Sequence, residues 1–292
     1  QDSHSPAPLT QFWQRMGPFV FWFWLNDLLM NLFETVDRYM IIHVSGIDSN
    51  EAVALVGQYH SSRIIGVLMI AVIGMLRGTM LSYLSHDWES GNHKGAAKRL
   101  DYALRLVGVL MTGAAGAVLI LAPAIYDWAL KGRYTDGFSV LPLTMAYCIW
   151  FGLLAMAVNY VWCAERPRAA MLAIALSLVL NAALNYVLIP IWGLNGAVWG
   201  TAIANLCALF GIYWVCSNLG MRYRWGTMVA SLAPFTLLLG GWPAVAFCIA
   251  IMWHGAERGW LFDDQERSDL QMRFQGLLQK LPRWISKPLA RS

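Results

Sequence analysis

The chain has 292 residues, 58% of them apolar and 13% charged, with 15 Trp and a mean hydropathy of +0.49. Soluble domains carry about a quarter charged residues, so this is the composition of a protein embedded in a bilayer. The formal net charge of +4 is too small to imply a nucleic-acid partner.

Residues 1–16 are polar and run straight into an apolar stretch, so they read as a cytoplasmic leader and not as a signal sequence. The sequence does not start with Met and is expected to be a piece of a longer protein. Apolar runs of spanning length follow at 17–42, 51–84, 102–125, 139–162, 169–191 and 195–217. A seventh apolar region at 225–256 is broken by Gly240, Gly241 and Pro243, and reads as two short spans joined by a tight turn; one kinked span is the alternative. The expected fold is an all-α polytopic membrane bundle of about eight transmembrane helices over residues 17–258.

The first two spans carry charge. The first holds Asp27, Asn31, Glu34 and Arg38 at spacings of 4, 3 and 4, which is one helical face. The second holds His60, Arg63 and Arg77. Arg63 and Arg77 are two heptads apart, nearly on one face and about 21 Å apart along the axis. An ionised group at mid-bilayer costs about 2.5–3.5 kcal/mol, so these groups are expected to face protein or a wet cavity. Simple mutual pairing, such as Glu34 with Arg38, is the structural alternative.

Further along, Asp48 followed by Glu51 predicts a helix N-cap. The segment 86–101 reads as a polar cytoplasmic connector. Gly108, Gly113 and Gly116 permit close helix approach in the third span. Asn159, Asn181 and Asn185 read as polar glue between helices or as cavity lining. Cys148, Cys163, Cys207, Cys216 and Cys248 form no CxxC pair and read as small packing residues. Residues 259–292 are expected to form a cytoplasmic tail. In it Leu270, Phe274, Leu277, Leu278 and Leu281 give one apolar face to an interfacial amphipathic helix.

Charge orients the bundle. With the N-terminus in the cytoplasm, the cytoplasmic segments hold Arg15, Lys94, Lys98, Arg99, Arg105, Arg166, Arg168, Arg222, Arg224 and the basic tail. The outside loops hold only Lys131 and Arg133. An even number of spans keeps the tail on the basic side, with both termini cytoplasmic.

No phosphate-binding glycine loop, HExxH pair, cytosolic carboxylate pair or nucleophile elbow is found in the sequence. His60 lies within an apolar span, but its neighbour is the basic Arg63, which argues against a base and its orienting acid. A transporter or channel without cofactor or metal fits better than an enzyme.

Two stretches carry a family likeness. VDRYMIIHVSGIDSNEAVALVGQYHSSRI, with Asp37, Arg38, Gly46, Ala52, Val53 and Tyr59, resembles the start of the C-terminal half of polysaccharide flippases of the multidrug/oligosaccharidyl-lipid/polysaccharide (MOP) superfamily. NAALNYVLIPIWGLNGAVWGTAIANL, with Asn181, Asn185, Ile189, Pro190, Gly193, Gly196 and Ala197, resembles that family's Asn-rich helix, turn and small-residue helix. The resemblance covers about residues 17–220. It implies the second lobe and last two helices of a fourteen-helix flippase in a bacterial inner membrane. The first lobe would lie upstream or on a partner chain.

The implied activity is translocation of an undecaprenyl-diphosphate-linked oligosaccharide. A diphosphate needs cations to cross, so Arg63 and Arg77, then Arg38, with His60 beside them, are the expected substrate contacts. Asp27, Glu34 and Asp37 would balance the arginines or bind a coupling proton or Na+. Asn31, Asn181 and Asn185 would line the cavity. Glycosyltransferases or a polymerase are possible partners under this resemblance. The rival readings are a lipid II flippase or cationic-drug exporter of the same superfamily, and a non-transporting scaffold for glycosyltransferases.

Overall fold

A computed structural model describes residues 9–129, 135–257, 259–262, 266 and 268. Among these residues there are eight α-helices, one 3-10 segment and no strand. The helices are α1 (Leu9–Val44), α2 (Ser49–Glu89), α3 (His93–Ala129), α4 (Thr135–Cys163), α5 (Pro167–Trp192), α6 (Leu194–Asn218), α7 (Trp225–Leu232) and α8 (Gly241–Glu257). Helices α2 to α6 are each long and apolar enough to cross a membrane. Helix α1 has 36 residues, about 54 Å of rise, and carries the polar face. The molecule is an all-α polytopic membrane bundle.

Helix α4 is the hub. It packs on α2, α3 and α6, and 89% of its apolar window is buried, against 17% for α2. Helix α2 therefore turns most of its apolar surface outward, including Leu68 and Met75. Helix α1 packs on α5, and α5 on α6.

The broken region 225–256 forms two helical pieces, as its glycines and prolines predict. Helix α7 passes into a 3-10 segment at Ala233–Leu239, where Pro234 lacks the N–H that would continue an α ladder. Gly240, at φ +110°, ends the first piece, and α8 starts at once. The two pieces rise about 26 Å and 25 Å, just short of the ~30 Å hydrocarbon core. The chain then returns to the start of α7. Arg224 donates from Nη2 to the Gly259 carbonyl at 3.5 Å, and Leu261 and Phe262 are buried with Val109, Ala230 and Ile251. Glycines of α3 seat this hairpin. A Cβ on Gly108 would stand 2.9 Å from the Ala230 carbonyl oxygen, and one on Gly116 would stand 3.0 Å from that of Gly241.

Several boundaries differ from expectation. Leu9 to Met16, expected in the leader, already belong to α1. The connector at 86–101 is mostly helix, because α2 runs to Glu89 and α3 begins at His93. Only a short turn separates them, with Gly91 at φ +76° and the Asn92 carboxamide oxygen accepting the Gly95 N–H at 3.0 Å. The Asp48 N-cap forms, accepting from the Asn50 N–H at 3.1 Å. The amphipathic tail helix, Arg15's side chain, Lys131 and Arg133 lie outside the described residues.

Candidate functional site

One carboxylate ties the bundle together. The buried face of α1 is Asn26, Met30, Phe33, Asp37 and Ile41, one residue around from the Asp27–Asn31–Arg38 face. Asp37 is 1% exposed and accepts from three other helices. Tyr59 of α2 donates its phenol. Asn185 and Asn181 of α5 donate their amides at 2.7 and 3.1 Å. Thr201 of α6 donates its hydroxyl at 2.7 Å. Tyr147 of α4 donates to the Tyr59 oxygen at 3.3 Å, so α4 joins the network too. An ionised carboxyl buried without such donors would be prohibitive; four convergent donors make this one tenable.

The asparagines can reach because α5 and α6 touch. A Cβ on Gly200 would lie 2.3 Å from Asn185 Oδ1, so a larger residue beside Thr201 would push the Asn185 amide out of its place. The donation leaves Asn181 Oδ1 and Asn185 Oδ1 buried with no hydrogen-bond partner among the described residues. Both amides turn Nδ2 to the carboxylate, so Asp37 Oδ1 accepts from Asn181 and Asn185 while Oδ2 accepts from Tyr59 and Thr201. A buried carboxyl in a membrane bundle is suited to hold a proton.

Arg63 shares this site. It is 4% exposed, and its guanidinium lies 5.7 Å from the centre of the Tyr59 ring. Arg63 and Asp37 both line a small cavity of about 20 Å3, with Phe33, Tyr147, Thr201 and Asn205 among its other walls. One water would fill such a volume.

The other expected residues lie elsewhere. Arg77 does face the same way along α2 as Arg63, but that face is covered by α4 instead of opening on one shared cavity. Arg77 Nε donates to Asn159 Oδ1 at 3.2 Å, and Asn159 Nδ2 donates back to the Arg77 carbonyl at 3.1 Å. Its guanidinium stacks 4.8 Å over Trp162. Asn159 is thus helix glue, while Asn181 and Asn185 line the acid site. His60 is exposed on the outside of α2. Asp27 and Asn31 are exposed and bond to each other, Asn31 Nδ2 to the Asp27 carbonyl at 2.8 Å. Arg38 is half-buried, with Nε lacking a hydrogen-bond partner among the described residues. The Glu34 side chain lies outside the described residues. The candidate site is therefore Asp37, Tyr59, Arg63, Tyr147, Asn181, Asn185 and Thr201.

Sequence reasoning did not single out Thr201, Tyr147 or Asn205 for this site. Thr and Tyr are common in apolar helices, and only the Asn181/Asn185 pair, one turn apart, carried a signal of its own. Nor did it find Asn26, whose carboxamide is buried with neither atom partnered among the described residues.

Comparison with known families matches residues 10–256 to the family described as Lipid II flippase MurJ. No curated protein and no solved structure matches. The match supports the MOP superfamily expected from the two sequence stretches, but not its polysaccharide-flippase branch. It spans the described helical bundle from α1 to α8 almost end to end, and the chain belongs to the Lipid II flippase MurJ family, whose members are membrane transporters of lipid-linked substrates and not enzymes.

Proposed function

We propose that this chain forms the lipid II-translocating second lobe of a flippase, with Arg63 drawing the diphosphate and Asp37 holding a coupling cation or proton. The observation that carries the reading is the family match across residues 10–256. Arg63 supports it, being a cation buried inside the bundle whose planar guanidinium can meet phosphate oxygens in pairs once rocking of the lobes widens the one-water cavity beside it. The burial of one carboxyl inside the bundle, bonded from three other helices, supports the role of Asp37. A complementary lobe would stand against the outward faces of α1 and α2, and rocking of one lobe against the other would give alternating access. In this arrangement both termini are cytoplasmic.

An undecaprenyl-diphosphate-linked oligosaccharide is the second reading, favoured by the polysaccharide-flippase resemblance of residues 17–220. Depletion of the transporter containing this sequence separates the two. Lipid II is expected to accumulate in the membrane within a few generations, with surface oligosaccharide precursors unchanged. Accumulation of the oligosaccharide precursor instead overturns the lipid II assignment.

A further inference from the structure

A second polar groove lies apart from the acid site. It has a volume of about 630 Å3 and is lined by Lys94, Lys98, Asp101, Gly220, Arg222 and Arg224. The first turns of α3 and the connection from α6 to α7 build it, and it shares no lining residue with the Arg63 cavity. Four cations face one carboxylate. That carboxylate is already committed: Asp101 accepts from the Thr227 hydroxyl and the Arg224 N–H, and pairs with Arg105 at 3.1 Å. Glu266 approaches Arg224 at 3.9 Å. Lys94 and Arg222 are exposed at the groove, so among the described residues the groove is net positive.

Its depth is set by Trp225. This residue is 74% exposed and opens the apolar run of α7 directly after Arg224. An exposed Trp at the start of an apolar helix settles at headgroup level. Basic grooves between helices at that level recognise phosphate headgroups.

We propose that this groove binds the phosphate headgroup of an anionic bilayer phospholipid. Free phosphate shares the chemistry, but open, hydrated cations hold a small anion weakly. A lipid brings its phosphate to this level already anchored, so its effective concentration is high. Each exposed cation near an anionic lipid surface contributes about fivefold. The assignment does not depend on which cargo the protein moves.

The test titrates the purified chain in detergent with phosphatidylglycerol, with phosphatidylcholine of the same acyl chains and with soluble glycerol phosphate, reading bound species by native mass spectrometry. Phosphatidylglycerol is expected to bind at least about tenfold tighter than phosphatidylcholine, and glycerol phosphate negligibly. Lys94→Gln/Arg222→Gln should bring phosphatidylglycerol down to the phosphatidylcholine level, while Lys94→Arg/Arg222→Lys keeps the preference. Equal binding of the two lipids, undiminished binding by the Gln pair, or glycerol phosphate binding as tight as the lipid each overturns the assignment. Should the Gln pair not fold, salt on the unmodified chain decides. Raising it from 50 to 500 mM must weaken phosphatidylglycerol selectively, and unchanged binding overturns the proposal.

Discussion

Asp37 is the residue on which most of the polar chemistry converges. Its oxygens receive donors from α2, α5 and α6, so any change there is felt by three helices. Asp37→Asn keeps the shape but presents an amide N–H to groups that are themselves donors. An unmatched buried donor costs about 1–3 kcal/mol, so the variant should lose several degrees of thermal stability yet still fold. Because it also removes the ionisable group, gradient-driven transport by the complete transporter should collapse while substrate binding persists. Binding and transport falling in equal proportion would reduce Asp37 to a structural knot. The two arginines of α2 should part company under mutation. Arg63→Lys is expected to fold and lose part of the transport, and Arg63→Ala most of it, as the planar fork and then the charge disappear. Arg77 instead shares two hydrogen bonds with Asn159. Arg77→Ala and Asn159→Ala should each lower stability by about 1–2 kcal/mol, and the double variant should be little worse than either. Additive losses, measured by thermal unfolding, would dismiss that pairing. Both arginines were conspicuous in the sequence as charges in apolar helices, and spacing gave their common face. What covers that face is a matter of where α4 packs, which no local pattern of α2 contains.

At the scale of elements, the short hairpin of α7 and α8 is held to α3 at both ends. Glycines 108 and 116 seat it along its length. At the return end, Arg105, 0% exposed, donates to both Glu266 oxygens at 3.3 and 3.2 Å and pairs with Asp101 at 3.1 Å. Removing one partner of a buried ion pair costs about 3–5 kcal/mol when the other charge is stranded. Here Asp101 remains, so Glu266→Gln should cost less, about 1–3 kcal/mol. Its sign is visible as faster limited proteolysis after residue 257 than in the unmodified protein. Arg105→Ala strands two carboxylates and should be the more severe change. Unaltered cleavage in both variants would show that the apolar contacts of Leu261 and Phe262 suffice alone. The breaks at Gly240 and Pro234 were legible in advance, because a residue without an N–H and one free to take positive φ interrupt a helix whatever surrounds it. The pairing of Arg105 with Glu266 was not legible, since it joins residues far apart in sequence through the fold.

At the scale of the molecule, the question is how many times the chain crosses and which way it faces. The last residues of α8 lead to Gly259, which accepts a hydrogen bond from Arg224 at the start of α7. The hairpin therefore leaves one end of the bundle and returns to it, which favours two crossings over one. Each piece, at about 25 Å, is short for a ~30 Å core, so local thinning of the bilayer or the protein surface of α3 must accommodate the difference. The end to which the chain returns also bears Lys94, Lys98, Arg99, Arg166, Arg168, Arg222 and Arg224. Basic residues concentrate on the cytoplasmic side because moving them across during insertion is unfavourable. A reporter enzyme fused after Ser292 is therefore expected to be active only as a cytoplasmic reporter, and one inserted beside Lys131 only as an external one. A cytoplasmic signal at Lys131 would invert the whole bundle. An external signal at Ser292 together with an external one at Lys131 would mean that Trp225–Leu239 and Gly241–Gly255 cross together only once, as a single kinked span, despite the bond from Arg224 to Gly259.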